Sequence, residues 1–370
     1  MKAKHLKKAL VSNRKLLLSS LLIISFFYAG FIYSDKSSFL QNEVAEKKKE
    51  EKPKVLVLNK ADYDFRMAKL ANIKPVTTTT STTPTTTPQE PLWPKVGPYP
   101  NGGAILPFNR IIAYYGNLYS KKMGVLGEYG EDEMLSRLDA EVLKWNNADP
   151  ETKAIPALHY IAVVAQGSAG SDGKYRARMP HTEIDKVLEI AKKRDAIVFL
   201  DVQVGFSTIE DELPLFEKYL KLPQVHFAMD PEFSMKGGIR PGKVVGTYDA
   251  KDVNFAINYL SRLVRENNLP PKVLVVHRYT KKMLTNTQNI TPTPEVQVVI
   301  HMDGWGGGAK KKNTYEQFVY KEPVQFAGFK IFYKNDRWGI NTKVVNPEIP
   351  LLTPEELLKL SPIPVYIQYQ

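Results

Sequence analysis

Beyond residue 94 the chain alternates between short apolar runs and longer stretches with helical spacing. The runs cover residues 110–115, 158–165, 196–203, 225–230, 272–279, 296–303, 329–333 and 364–369. Each is rich in Val, Ile, Phe or Tyr and bounded by polar or turn-forming residues, the pattern of a buried strand. Residues 131–145, 181–193, 209–220 and 251–267 carry apolar side chains at i, i+3, i+4 and i+7, the stripe of an amphipathic helix. Thr182 and Thr353 are candidate N-caps, the latter with Pro354 at the first helical position and Glu356 three residues on. Strands alternating with helices imply a parallel sheet. Eight such units predict a (β/α)8 TIM-type barrel, whose usual length is about 250 residues. An open doubly wound sheet is the alternative. Two joints are irregular: residues 281–295 hold only a short helix candidate, and residues 243–248 form a possible extra strand.

Polar residues fall at the ends of these runs, where α/β folds keep their chemistry. The run at 225–230 ends in Asp230, and Pro231, which cannot donate to a sheet ladder, stops it just before Glu232. The third run ends in Asp201 and Gln203, the fifth in His277, Arg278 and Tyr279, and the sixth in His301 and Asp303. The first ends in Tyr114 and Tyr115, the second near Gln166, the seventh at Tyr333 and the eighth at Gln368. Strand alternation places Phe199, Asp201 and Gln203 on one face, as it does Val275, His277 and Tyr279, and Val299, His301 and Asp303. In a barrel these sets converge on one mouth.

Paired carboxylates on strand ends are the machinery of glycoside hydrolysis, one as acid and one as nucleophile or base. Glu232, beyond its strand, is the candidate proton donor, with Asp201 or Asp230 as partner. Tyr114, Tyr115, Tyr333 and Trp305 are candidates to stack on sugar rings, and Gln166, Gln203, His277, His301 and Asp303 to bind hydroxyls. Two other readings stay open. Asp201, Asp230, His277, His301 and Asp303 are acceptable ligands for a metal-dependent hydrolase, although no H-x-H or H-E-x-x-H pair is present. A non-catalytic barrel that binds cell-wall glycan needs no chemistry at all. The loop Gly304 to Lys312 is Gly-rich and then basic but lacks the P-loop order, which argues against nucleotide binding. The sequence points to no cofactor.

Residues 16–33 are uncharged and about long enough to cross a bilayer core. The basic flank before them and Asp35 after them predict a cytoplasmic N-terminus. The expectation is an uncleaved single-pass anchor in the lipid bilayer with the bulk of the chain outside the cell membrane; a cleaved signal peptide is the rival. This changes the meaning of the net charge of +12: Lys2, Lys4, Lys7, Lys8, Arg14 and Lys15 supply half of it ahead of the anchor, so it gives no case for a nucleic-acid partner. The 370 residues contain no cysteine, which excludes disulfides, thiolate metal sites and a lipoprotein cysteine. Residues 34–94 combine a Lys/Glu run with the Thr/Pro tract at 77–88, a composition that buries too little apolar surface to fold. The predicted organisation is a basic tail at 1–15, an anchor at 16–33, a disordered linker at 34–94 and the barrel at 95–370.

The stretches Ile112-Ala-Tyr-Tyr-Gly116, Gly124-Val-Leu-Gly-Glu128, Leu200-Asp-Val-Gln203, Ala228-Met-Asp-Pro-Glu232, Val275-Val-His277 and His301-Met-Asp-Gly304 together resemble an uncharacterised family of exported bacterial proteins. The resemblance extends over most of residues 110–370. It implies an extracytoplasmic, glycosidase-like barrel and adds Glu128 to the candidate substrate-binding residues. Arg278 stands where such sequences are expected to carry Gln after the His. The combined expectation is a membrane-anchored extracytoplasmic barrel that binds, and cleaves, a cell-surface or environmental polysaccharide.

Overall fold

The computed structural model describes residues 56–73, 91–339 and 342–370. Residues 16–33 and the Thr/Pro tract lie outside them. No helix among the described residues is long and apolar enough to cross a membrane.

All eight apolar runs form strands: β1 (Asn109–Gly116), β2 (Lys153–Ala165), β3 (Ile197–Val202), β4 (Val225–Met229), β5 (Lys272–Arg278), β6 (Val296–Met302), β7 (Phe326–Ile331) and β8 (Tyr366–Tyr369). They pair in parallel in chain order, and β1 pairs with both β2 and β8. The sheet therefore closes on itself, which selects the (β/α)8 barrel over the open sheet. An added antiparallel strand, Arg176–Arg178, sits on the edge of β2. The extra strand expected at 243–248 shrinks to Tyr248–Asp249, paired with Leu284–Thr285 away from the barrel.

Helices α2 (Glu131–Ala148), α3 (His181–Lys192) and α4 (Ala250–Asn267) follow the predicted stripes. Residues 209–220 instead break into three one-turn pieces, with Pro214 in the first turn of the middle one. Thr353 forms the expected capping box with Glu356. Thr182 does not cap: its helix begins one residue earlier, after Pro180. Between β5 and β6 the helical pieces are two single 3-10 turns, on either side of Leu284–Thr285.

The barrel interior is filled by Ile111, Ala113, Ala157, Phe199, Ala228, Val273, Val275, Val299 and Tyr366. Its floor is closed by a helix within the stretch expected to be linker. That helix, α1 (Lys60–Ala71), buries Tyr63, Met67 and Leu70 in the same interior cluster. Asn59 caps its start through the Asp62 amide. Asn72 ends it in the left-handed conformation and bonds the Leu360 carbonyl at 2.8 Å. The folded unit thus begins at Leu56, not at residue 95.

Candidate active site at the barrel mouth

Strand parity decides which side chains meet at the C-terminal end of the barrel. Asp201, His277, His301 and Asp303 point inward as their alternation predicts and are buried. They are joined by two residues that the sequence reading did not single out, His159 on β2 and Lys330 on β7. His159 Nε2 and His277 Nε2 each stand 3.5 Å from Asp201 Oδ2. His277 Nδ1 faces Asp303 Oδ2 at 3.2 Å and His301 Nδ1 at 3.0 Å. Lys330 Nζ lies 2.8 Å from Asp303 Oδ1 and 3.9 Å from the centre of the Tyr115 ring. The layer beneath carries His226, whose Nδ1 accepts the Val273 amide at 3.1 Å.

Above this layer β4 ends. Asp230 Oδ1 accepts the Glu232 amide at 3.0 Å and so caps the turn Pro231–Phe233. Gln203 Nε2 reaches Asp230 Oδ2 at 3.3 Å and the Tyr115 hydroxyl at 3.4 Å. Glu232 is half-buried beside this turn. Trp305 is 45% exposed, packs edge-on against Trp338 and carries Lys310 over its ring at 4.9 Å. A buried bracket fixes the neighbouring strand end. Lys311 pairs with Asp336 and donates to the Lys330 carbonyl at 2.6 Å, while Asp336 accepts the Gly306 and Phe332 amides, each at 2.9 Å.

The carboxyl groups fall into two electrostatic classes. Burial alone would raise Asp303, but Lys330 and then His277 hold it well below the usual range. Asp201 is likewise held low against burial by His277 and His159. Burial and the charge of Asp303 raise Glu232 above the usual glutamate range, and burial raises Asp230 further. Burial would lower His277, yet Asp201 and Asp303 lift it to about 10. Burial dominates at His159, lowered to about 4, and drives His301 well below its ordinary value.

Other expected site residues lie elsewhere. Tyr114 and Tyr333 sit outside the barrel wall. Their hydroxyls are 3.1 Å apart, and Tyr333 donates to Glu141 of α2 at 2.9 Å. Adjacent Tyr114 and Tyr115 necessarily face opposite sides, and only Tyr115 enters the interior. Glu128 pairs with Lys334 on the surface. Gln166 is half-buried just past β2, bonded to the Val164 carbonyl at 3.4 Å. Arg278 faces outward and anchors the Phe318 and Leu284 carbonyls at 3.0 and 3.1 Å and Glu322 at 2.7 Å, so it makes no contact at the mouth.

No family model matches the sequence, and no curated protein matches it. Among solved structures, the chain is similar to a ruminal GH26 endo-beta-1,4-mannanase at 13% identity and a TM-score of 0.33. That match covers 71% of this chain and 59% of the mannanase, so the chain spans under two thirds of it. Thermotoga maritima Cel5A, solved in complex with cellobiose, matches at 12% identity and a TM-score of 0.40, over 71% of this chain and 89% of that one. The Bacillus subtilis mannanase BCman matches at 10% identity and a TM-score of 0.33, over 72% and 81%.

Proposed function

We propose that this chain is a glycoside hydrolase of the cell exterior, tethered to the membrane through residues 16–33, with Glu232 as proton donor. The observation that carries the reading is the contrast between two neighbouring carboxyls at the mouth. Asp303 stands 2.8 Å from Lys330 Nζ and 3.2 Å from His277 Nδ1, whereas Glu232 is half-buried and makes no ion pair among the described residues. Carboxyls placed in opposite environments are the signature of an acid and its ionised partner. Asp303 takes the partner's role that the sequence assigned to Asp201 or Asp230. Asp201 is sealed beneath the mouth by two imidazoles, and Asp230 is engaged in capping its own turn.

In this scheme the sugar lies against Tyr279 and the exposed face of Trp305. Glu232 protonates the glycosidic oxygen as the bond to the anomeric carbon breaks. Asp303 stabilises the positive charge that develops on the ring, as nucleophile or as base to a water.

The test uses the soluble chain from residue 56 onward with a panel of mannans, glucans, cell-wall glycans and exopolysaccharides. New reducing ends are expected from at least one glycan, and Glu232→Gln and Asp303→Asn are expected to lower the rate at least 10³-fold, the scale of lost acid catalysis and lost charge stabilisation. No cleavage of any glycan by the wild type, or full activity of Glu232→Gln, would overturn the reading. The tether is checked separately: the full chain should fractionate with membranes and be digested by protease added from outside the cell.

A further inference from the structure

We propose that His159 Nε2, Asp201 Oδ2 and His277 Nε2 form a binding site for a divalent transition-metal ion, zinc above all, one layer beneath the mouth. Three observations carry this, and none depends on the hydrolase reading.

The first is a convergence of orphaned polar atoms. Neither oxygen of Asp201 accepts a hydrogen bond, and the Nε2 atoms of His159 and His277 have no hydrogen-bond partner. All three side chains are fully buried. A buried polar group left unsatisfied costs about 1–3 kcal/mol, more for a charged one. Several on a single point need a common partner.

The second is spacing. Both nitrogens lie 3.5 Å from the same carboxylate oxygen, and all three donors lie within 4.8 Å of one another. A charge-assisted hydrogen bond would be about 2.7–2.9 Å, which the Arg278–Glu322 pair achieves at 2.7 Å. By contrast, with metal bonds of about 2.0–2.2 Å, two ligands of one tetrahedral ion stand about 3.4 Å apart. The separations fit a shared ion better than a hydrogen bond.

The third is the outer layer. His159 Nδ1 is hydrogen-bonded to the Tyr366 hydroxyl at 2.6 Å. His277 Nδ1 faces the Asp303 carboxylate at 3.2 Å. Each imidazole is thus held by its far nitrogen with Nε2 aimed at Asp201, the carboxylate–imidazole arrangement that orients metal ligands. The other grouping, His277, His301 and Asp303, is a poorer cradle, because the Lys330 ammonium already sits on Asp303. Two imidazoles and one carboxylate, without thiolate, are a ligand set suited to zinc.

The experiment strips the chain from residue 56 onward with EDTA, removes the chelator and titrates with ZnCl2 by calorimetry and thermal melting. One equivalent should bind and raise Tm by several degrees. Cobalt(II) in place of zinc should give the visible bands of a tetrahedral site. His159→Gln and Asp201→Asn should abolish the binding. Should Asp201→Asn fail to fold, His159→Gln carries the test. His226→Gln, at a buried histidine outside the site, and Glu232→Gln should keep one equivalent. Absence of stoichiometric binding to wild type, or binding that survives His159→Gln, would overturn the site. Either result is independent of whether a glycan is cleaved.

Discussion

Lys330 Nζ stands 2.8 Å from Asp303 Oδ1 inside the barrel, with both side chains buried. In the proposed reaction this ammonium keeps Asp303 ionised and aimed at the sugar. Lys330→Met is therefore expected to lower kcat about 10²-fold or more, the scale of a lost electrostatic stabiliser, with little change in KM. Lys330→Arg should recover part of the loss. Leaving one charge of a buried pair unpaired also destabilises, by about 3–5 kcal/mol, so the rates need comparison at temperatures where each variant is folded. An unchanged kcat for Lys330→Met would remove Asp303 from the chemistry.

Glu232 titrates above the usual glutamate range because of burial and the nearby Asp303. A proton donor works in its protonated form, so activity should fall as pH rises through that raised pKa. The alkaline limb of kcat/KM should flatten in Glu232→Gln. Aryl glycosides whose leaving group needs no proton should lose far less activity in this variant than a natural glycan does. Equal losses for both substrates would assign Glu232 to binding.

The eight strands were readable because each is a compact β-rich run. Asp201, His277, His301 and Asp303 were readable because one face of each strand ends in chemistry. His159 was not. It lies in a 13-residue strand buried on both faces, whose register shifts between Ile161 and Val163, so alternation gives no marker there. Lys330 was hidden because a lysine in a strand normally reads as solvent-facing, and only barrel closure turns it inward. Tyr114 and Tyr115 are chemically equal neighbours, and only the register separates the wall from the interior. Helix α1 was lost in the tether because it is only 12 residues long, its Phe65 faces solvent and blurs the apolar stripe, and the Lys/Glu run and the Thr/Pro tract bracket it in sequence.

That helix yields a prediction about the minimal domain. Tyr63, Met67 and Leu70 cover the interior cluster formed by residues such as Leu106, Ile111 and Phe326. A chain starting at residue 95 exposes this floor and should melt well below one starting at residue 56, or aggregate. Leu70→Ala in the longer chain should cost about 2–4 kcal/mol by urea unfolding, within the range for buried leucines. Matching stability of the two chains would show that α1 contributes nothing to the barrel.

The floor of the barrel also holds a titrating lysine. Lys272 is fully buried, and its Nζ donates to the Leu222 and Val225 carbonyls at 2.6 and 2.9 Å, with His226 nearby. Burial lowers its pKa from 10.5 to about 7. Between these values the unfolded chain binds a proton that the folded chain does not, so stability rises with pH across that window. The slope approaches about 1.4 kcal/mol per pH unit. His226 adds nothing there, since burial, followed by the Lys272 charge, pushes its pKa below 6.5 and both states hold it neutral above pH 7. Urea unfolding at pH 7, 8 and 9 should therefore show the wild type gaining about 2 kcal/mol relative to Lys272→Met, a variant of similar volume without the amine. The subtraction cancels tyrosines that titrate in both proteins. Parallel pH profiles would mean that the two carbonyls keep Lys272 charged despite its burial.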